Sequence, residues 1–198
     1  AGEPGVHAAA RRVARRVHRV HRNLVLCTAE HDPAKDVVRR ERREGGVRPI
    51  VKHPKVADAG QGRVLECDEA TPISTVVERL KALLGVRFLR LALAAVVAPE
   101  ALAKAQEFLT VKTVAVQVGE GATLLRGWTG DLLITSEMSH ADVVAANAQN
   151  VNVILTGQST IERAYLQYLR QELESEFADS DWNVLFKCST DCNPLSVV

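Results

Sequence analysis

The chain has 198 residues, of which 46% are hydrophobic and 25% are charged, and both values are ordinary for a soluble globular protein. No apolar run reaches the ~20 residues that a membrane-spanning helix needs, and no secretory signal is recognisable. The four cysteines, Cys27, Cys67, Cys188 and Cys192, are scattered along the chain. We therefore expect reduced thiols in a cytoplasmic protein, with a mitochondrial location as the alternative.

The charge is unevenly distributed, although the net charge is only +1. Residues 1–56 contain 14 Lys and Arg against 6 Asp and Glu, which gives a local charge of +8. The remaining residues contain 11 against 18, which gives −7. Such an asymmetry is typical of two parts with different roles. It predicts a basic, Arg-rich N-terminal segment and linker at 1–56 and an α/β domain at 57–198.

The basic segment contains the text VHAAARRVARRVHRVHRNLVL, which has a helical period. Its apolar residues form one stripe of an amphipathic helix, namely Val6, Ala10, Val13, Val17, Val20 and Leu24. Arginines fill most other positions of 11–22. Such a helix could bind an anionic membrane, act as a transit segment, contact nucleic-acid phosphates, or pack its stripe on the domain. A shifted reading frame would also produce text of this kind.

After residue 60, strand-like and helix-like patterns alternate. The strand-like runs cover 62–67, 87–94, 111–118, 131–135, 151–156 and 182–189. The helical patterns cover 72–84 (with Thr71 as N-cap), 98–109, 122–127, 139–149 and 160–177. This alternation predicts the α/β class, with a mixed or mostly parallel sheet and helices on its faces.

In sheets of this class, functional side chains gather beyond the carboxyl ends of the strands. At the first such end, residues 119–121 read Gly-Glu-Gly, which predicts a turn whose amides could hold an anion. At the second, Glu137 and His140 follow a strand. Ser139 and Asp142 beside them form a capping-box-like pair that predicts a helix start.

The third end is the text LTGQSTIER at 155–163. Ser159 and Glu162 match the S-x-x-E capping box, which gives the glutamate a structural reason. Gln158 and Glu162 are four residues apart, so they share a helix face if the first turn begins early. The residues alone leave two interpretations open, a metal site and a plain helix cap. A metal site here would be weak, because an amide oxygen is a poor ligand for transition metals.

Four motifs resemble those of the Nif-three-like family, whose bacterial members carry the name GTP cyclohydrolase 1 type 2 homologues. The segments GQGRVLECDEATPISTVVERLKALL and DLLITSEMSHADVVAA are similar to the family's G-x-G-R-x-x-x-L-x-E segment with its following helix and to its D-x-x-x-T-G-E-M-S-H-H-D-x-x-x-A motif. The text VNVILTGQSTIER is similar to N/H-V-I-x-x-x-H-x-x-x-E-R, and STDCNPLSVV to the closing D-x-D-P-L-x-x-V. The motifs keep the family's order and spacing.

The resemblance implies a Nif-three-like α/β protomer that assembles into dimers or hexamers around a dinuclear centre of zinc, iron or manganese. The family's ligands are a His-His pair near the N-terminus, the aspartate of H-T-x-x-D, and the C-terminal H-x-x-x-E. Gln158 stands at the position of the C-terminal ligand histidine. The chain also departs from the S-H-H motif, whose second histidine is replaced by Ala141. A His-His segment is not recognisable, and His7 with Arg11 is the remnant of H-T-x-x-D. Glu162 is the one clear ligand position that is kept.

Three functional hypotheses follow. The first is a Nif-three-like protein with a degenerate dinuclear-metal site that acts through homo-oligomerisation or protein partners. The second is a metal-dependent hydrolase with a weakened site, in which Glu137 and His140 are catalytic and Glu162, Gln158 and His7 are the candidate metal ligands. The third is a nucleic-acid-associated protein that binds through residues 11–22. The missing ligands favour the first.

Overall fold

A computed structural model describes residues 47–54, 60–94, 101–120, 122–178 and 184–189. The strands are β1 (Val47–Arg48), β2 (Val51–Lys52), β3 (Gly60–Gln61), β4 (Arg63–Pro72), β5 (Arg90–Ala92), β6 (Thr110–Glu120), β7 (Leu132–Glu137) and β8 (Asn152–Leu155). The helices are α1 (Ile73–Leu84), α2 (Leu102–Phe108), α3 (Ala122–Leu125), α4 (His140–Ala148), α5 (Gln158–Ala164) and α6 (Leu166–Phe177). The basic helix predicted from Val6 to Leu24 lies outside the described residues.

One six-stranded sheet organises the described part of the chain. Its order is β1-β4-β6-β7-β8-β5, and β2 and β3 form a separate two-stranded sheet. The central strands β6, β7 and β8 are parallel, whereas β4 is antiparallel to β6 and β5 is antiparallel to β8. A parallel centre with antiparallel flanks confirms the predicted α/β class with a mixed sheet.

Different helices cover the two faces of this sheet. Successive side chains of a strand point to opposite faces, so each strand contributes to both layers. On one face, β7 places Leu132 and Ile134 in a cluster with the α1 stripe of Ile73, Val76, Val77 and Leu80. On the other face, Leu133 clusters with Leu125 of α3, and Val143 and Ala146 of α4 pack against them. Both faces of β7 are therefore buried, which explains its continuous apolar sequence.

The start of α1 differs from the prediction. β4 continues through Thr71 and Pro72, which pair with Val111 and Thr110 of β6. The helix begins at Ile73, and Pro72 at the N-cap position makes no side-chain cap bond. The predicted N-cap role of Thr71 is therefore wrong, because strand pairing holds its backbone in the ladder.

Three other predicted elements also need correction. Gly119 and Glu120 belong to β6 rather than to a turn. The predicted helix 160–177 is two helices, α5 and α6, with Tyr165 between them. Residues 184–189 of the predicted last strand form no strand, because Phe186 packs its ring 5.5 Å from that of Phe177 and Cys188 donates its thiol to the Leu166 carbonyl.

The residues just before the predicted domain are part of its sheets. β1 pairs with β4, and β2 pairs with β3. Beside them, the buried Arg63 donates from Nη1 to the carbonyl oxygens of Gly60 at 2.8 Å and Gly62 at 2.7 Å, which fixes the turn between β3 and β4. The domain boundary at residue 56 stays a prediction. In the part of the chain that the structure describes, no helix is long and apolar enough to cross a membrane.

Candidate functional site

Buried hydroxyl groups hold together the carboxyl ends of the three parallel strands. Ser136 Oγ accepts a hydrogen bond from the Gly119 amide at 2.7 Å, and Thr135 Oγ1 donates to the Gly119 carbonyl at 3.2 Å. Thr156 Oγ1 donates to the Thr135 carbonyl at 3.2 Å. These hydroxyl groups are not among the site residues predicted from the sequence. The signal was present, because the apolar runs LLIT and VILT both end in threonine.

Glu137 and His140 lie at this edge of the sheet, as predicted. Glu137 is the last residue of β7, His140 is the first residue of α4, and both are exposed. Within the described residues, no hydrogen bond or ion pair joins either of them to Gln158 or Glu162. Their catalytic role stays a prediction.

The capping pair at the start of α4 is confirmed. Ser139 is the N-cap, and its Oγ accepts from the Asp142 amide at 3.1 Å and donates to Asp142 Oδ2 at 2.6 Å. The hydrogen bond from Ser139 is the main cause that holds the pKa of Asp142 below its ordinary value. Arg126 adds to this effect through a 3.2 Å ion pair with the same carboxylate. Asp142 thus has a structural role at the helix start.

Substituting Ser139 with alanine should therefore lower the free energy of unfolding by about 1 kcal/mol, the usual cost of losing an N-cap side chain. Urea denaturation followed by circular dichroism measures this loss. Ser175→Ala is the matched control, because Ser175 is exposed inside α6, where alanine is the better helix former. Equal losses in the two variants would contradict a capping role.

Gln158 and Glu162 come together on one face of α5. The helix begins at Gln158, and Gly157 occupies the N-cap position with φ 82° and ψ 139° and without a side-chain cap bond. The predicted capping box of Ser159 and Glu162 is therefore wrong, because Ser159 already lies inside the first turn. Gln158 Nε2 instead donates to Glu162 Oε1 at 3.1 Å. The expectation that these two residues share a face if the helix begins early is confirmed.

This pair forms only a small donor set. In the ranges that the structure covers, no group of three His, Cys, Asp or Glu side chains is arranged to hold a metal ion. His7 and Arg11 lie outside these ranges. Gln158 and Glu162 thus offer one amide and one carboxylate that are already hydrogen-bonded to each other.

A comparison with known protein families assigns the chain to one of them. The family model described as Duf34/NIF3 (NGG1p interacting factor 3) matches residues 10–194. The chain belongs to this family. The membership confirms the Nif-three-like resemblance of the four motifs and extends it into the basic segment.

Curated relatives from the DUF34/NIF3 family are longer than this chain. The human NIF3-like protein 1 is 35% identical over 148 residues, which cover 75% of this chain and 37% of the human protein. The Saccharomyces cerevisiae protein named NGG1-interacting factor 3 is 30% identical over 140 residues, which cover 70% of this chain and 45% of the yeast protein. The chain therefore spans less than half of either relative.

A solved structure gives the same fold assignment. The Bacillus cereus protein related to NIF3 superposes with a TM-score of 0.56 at 19% identity, over 71% of this chain and 36% of the other. At this level of identity the similarity supports the NIF3-like α/β fold alone.

Proposed function

We propose that this chain is a NIF3-family protein with a degenerate dinuclear-metal site, which acts through oligomerisation or partner binding. The hydrogen bond from Gln158 to Glu162 carries this proposal. In the family pattern the first of these positions holds a ligand histidine and the second a ligand glutamate. In this chain the side-chain amide of Gln158 donates a hydrogen bond to Glu162 Oε1 at 3.1 Å, so one carboxylate oxygen already has a partner.

The chemistry of the donor set does not fit the family's metal centre. Transition metals such as zinc prefer imidazole, thiolate and carboxylate ligands, and they need about four of them per ion. The neutral amide of Gln158 is a poor replacement for an imidazole. We therefore assign no reaction step to a bound metal in this chain.

A role through other proteins is supported by the name of the yeast relative, NGG1-interacting factor 3, which names a protein partner of that relative. For this chain we extend it only to the general proposal of a protein partner or a second copy of the chain. A dimer or a hexamer is the assembly that we expect. Both expectations are independent of whether the chain binds metal.

Metal analysis of the purified chain tests the degenerate site. We expect fewer than one tightly bound zinc, iron or manganese ion per protomer after dialysis against a weak chelator. Two tightly bound ions per protomer would overturn the proposal. That result would favour the alternative of a metal-dependent hydrolase, in which Glu137 and His140 would be the first residues to substitute.

Restoring the family's histidine should not rebuild the site. We expect Gln158→His to leave the metal content below one ion per protomer, because one imidazole and Glu162 supply only two of the ligands that an ion needs. Ser159→His is the matched control, since it adds a histidine one position away from the shared face. Tight metal binding by Gln158→His, but not by Ser159→His, would show that further ligands lie close to Glu162.

A further inference from the structure

Helix α6 carries an apolar stripe that the described residues cover only in part. The stripe recurs at intervals of three or four residues and consists of Leu166, Leu169, Leu173 and Phe177. Each of these residues is only partly buried. In α1, by contrast, a stripe of the same spacing is buried in the core. The α6 stripe therefore leaves part of its apolar surface accessible.

Residues 184–189 contact both ends of this stripe and carry exposed apolar side chains of their own. The Phe186 ring lies 5.5 Å from the Phe177 ring, and the Cys188 thiol donates to the Leu166 carbonyl. In the same segment, Val184 is 42% exposed and Leu185 is 74% exposed. We call the α6 stripe together with Val184 and Leu185 the α6 surface. Extended exposed apolar surfaces on a folded protein mark sites of interaction.

The charge beside this surface indicates the kind of partner. Residues 166–177 contain one arginine, Arg170, and three glutamates at 172, 174 and 176. Glu174 is exposed, pairs with Arg170 at 3.4 Å, and lies beside the stripe in a helix of 3.6 residues per turn. The net charge of −2 over α6 favours a basic partner and disfavours a second, equally acidic α6.

We propose that the basic segment 6–24 of the same chain docks on the α6 surface as an amphipathic helix. In a helix, Val13, Val17 and Val20 would form one apolar stripe. Such a stripe is what a helix needs in order to pack on the apolar α6 surface. Arg16 would border that stripe in a helix, with Arg12 one turn before it on the same side, where both could face the glutamates of α6. The pairing matches the global charge asymmetry of +8 for residues 1–56 and −7 for the remainder.

Three further observations favour this occupant. The family match begins at residue 10, so most of the segment belongs to the part of the chain that follows the family's pattern. A helix over 6–24 would be about 28 Å long, enough to cover α6 at about 18 Å. Residues 25–46, when extended, could span up to about 70 Å to β1, so the chain can reach. The inference does not depend on the metal site.

Hydrogen exchange of the full chain, measured by mass spectrometry, tests this docking. We expect Val13→Asp combined with Val17→Asp to speed exchange of the amides of residues 166–177 by about tenfold or more, because the helix loses its cover. Ala8→Asp is the matched control, since residue 8 lies opposite the stripe in a helix, and it should change nothing. The core amides of β7 serve as the internal reference for a folded domain.

Dilution separates the chain's own segment from other occupants. A hundredfold dilution of the unsubstituted protein should leave exchange in α6 unchanged if the cover is intramolecular. Faster exchange on dilution would mean that a second copy covers α6, and it would overturn the proposal. Exchange in α6 that the valine substitutions leave unchanged would also overturn it.

A charge-reversal variant tests the electrostatic part of this docking. Arg12→Glu combined with Arg16→Glu should speed exchange in α6 in the same direction as the valine substitutions, and more strongly at low salt, where charges are screened least. An unchanged exchange rate at low salt would remove the basis for choosing the basic segment as the occupant.

Discussion

Replacing Gly62 with alanine is expected to lower the free energy of unfolding by about 2–3 kcal/mol. Gly62 has φ +61°, a left-handed conformation that costs an L-residue about 1–2 kcal/mol. A Cβ at this position would lie 2.6 Å from Ile50 Cδ1 and 2.8 Å from Leu124 Cδ2. Both atoms are the ends of flexible side chains that can shift, so overpacking adds about 1 kcal/mol, the low end of its usual range. Urea denaturation at pH 7 followed by far-ultraviolet circular dichroism measures the loss.

Gly85 is the matched control for this prediction. It caps the end of α1 with φ 66°, nearly the same conformation as Gly62, and a Cβ there would meet no atom within 4 Å. Gly85→Ala should therefore cost only the backbone part, about 1–2 kcal/mol. Equal losses at the two glycines would show that crowding around Gly62 contributes nothing.

A double variant assigns the crowding to one atom. Ile50→Val removes Cδ1, which is the nearest neighbour of the added methyl group. Combining it with Gly62→Ala should recover part of the loss, so the two substitutions should be non-additive by about 0.5 kcal/mol or more. Strict additivity would mean that the chain moves away from Ile50 instead.

The elements that the sequence predicts well are those whose signal is local. The α1 stripe follows from periodicity, because the face that holds Val76 and Leu80 must be buried in any packing against the sheet. The cap of α4 follows from Ser139 and Asp142, which interact within one turn. The parallel centre of the sheet follows from the apolar runs of β7 and β8, which are too continuous for strands with one face in water.

The elements that the sequence predicts poorly depend on distant partners. Thr71 matches an N-cap, but β6 pairs with its backbone and draws it into β4. Residues 184–189 match a strand, but Phe186 packs on Phe177 of α6. At the candidate site, the sequence gives Ser159 a capping role, whereas Gly157 starts α5. The three-dimensional structure decides whether Gly157 or Ser159 is the N-cap of α5. That choice in turn decides which residue is the hydrogen-bond partner of Glu162.

Asp131 lies just before β7, and its substitution is the second one with a large expected effect. Its Oδ2 accepts from the amides of Lys112 and Thr113, both at 2.8 Å, and from Thr113 Oγ1 at 3.0 Å. Its backbone carbonyl accepts from the Asn152 amide at 3.0 Å, so the residue joins β6, β7 and β8. Asp131→Ala leaves two backbone amides without this acceptor and should cost about 2–4 kcal/mol. Solvent access to the partly exposed carboxylate favours the lower part of that range.

The same carboxylate predicts a dependence of stability on pH. Burial raises the pKa of Asp131, but the hydrogen bonds from the Thr113 and Lys112 amides and the Thr113 hydroxyl together lower it below its ordinary value. The unfolded chain therefore binds this proton more readily than the folded chain does. The stabilisation is complete above the ordinary aspartate pKa of about 3.9 and is lost as the pH falls through the lower, folded pKa.

Asp131→Asn isolates this charge from the shape of the side chain. The difference in unfolding free energy between the unsubstituted protein and Asp131→Asn should be constant from pH 7 to pH 5 and shrink below about pH 4. Urea denaturation at pH 7, 5 and 3 measures it. Asp142→Asn is the control at a partly exposed carboxylate whose hydrogen bonds join it to Ser139 and Arg126 and not to a strand of the described sheet, and its loss of unfolding free energy should be clearly smaller. A difference that grows as the pH falls would mean that the hydrogen bonds to Asp131 favour its protonated form, contrary to the geometry.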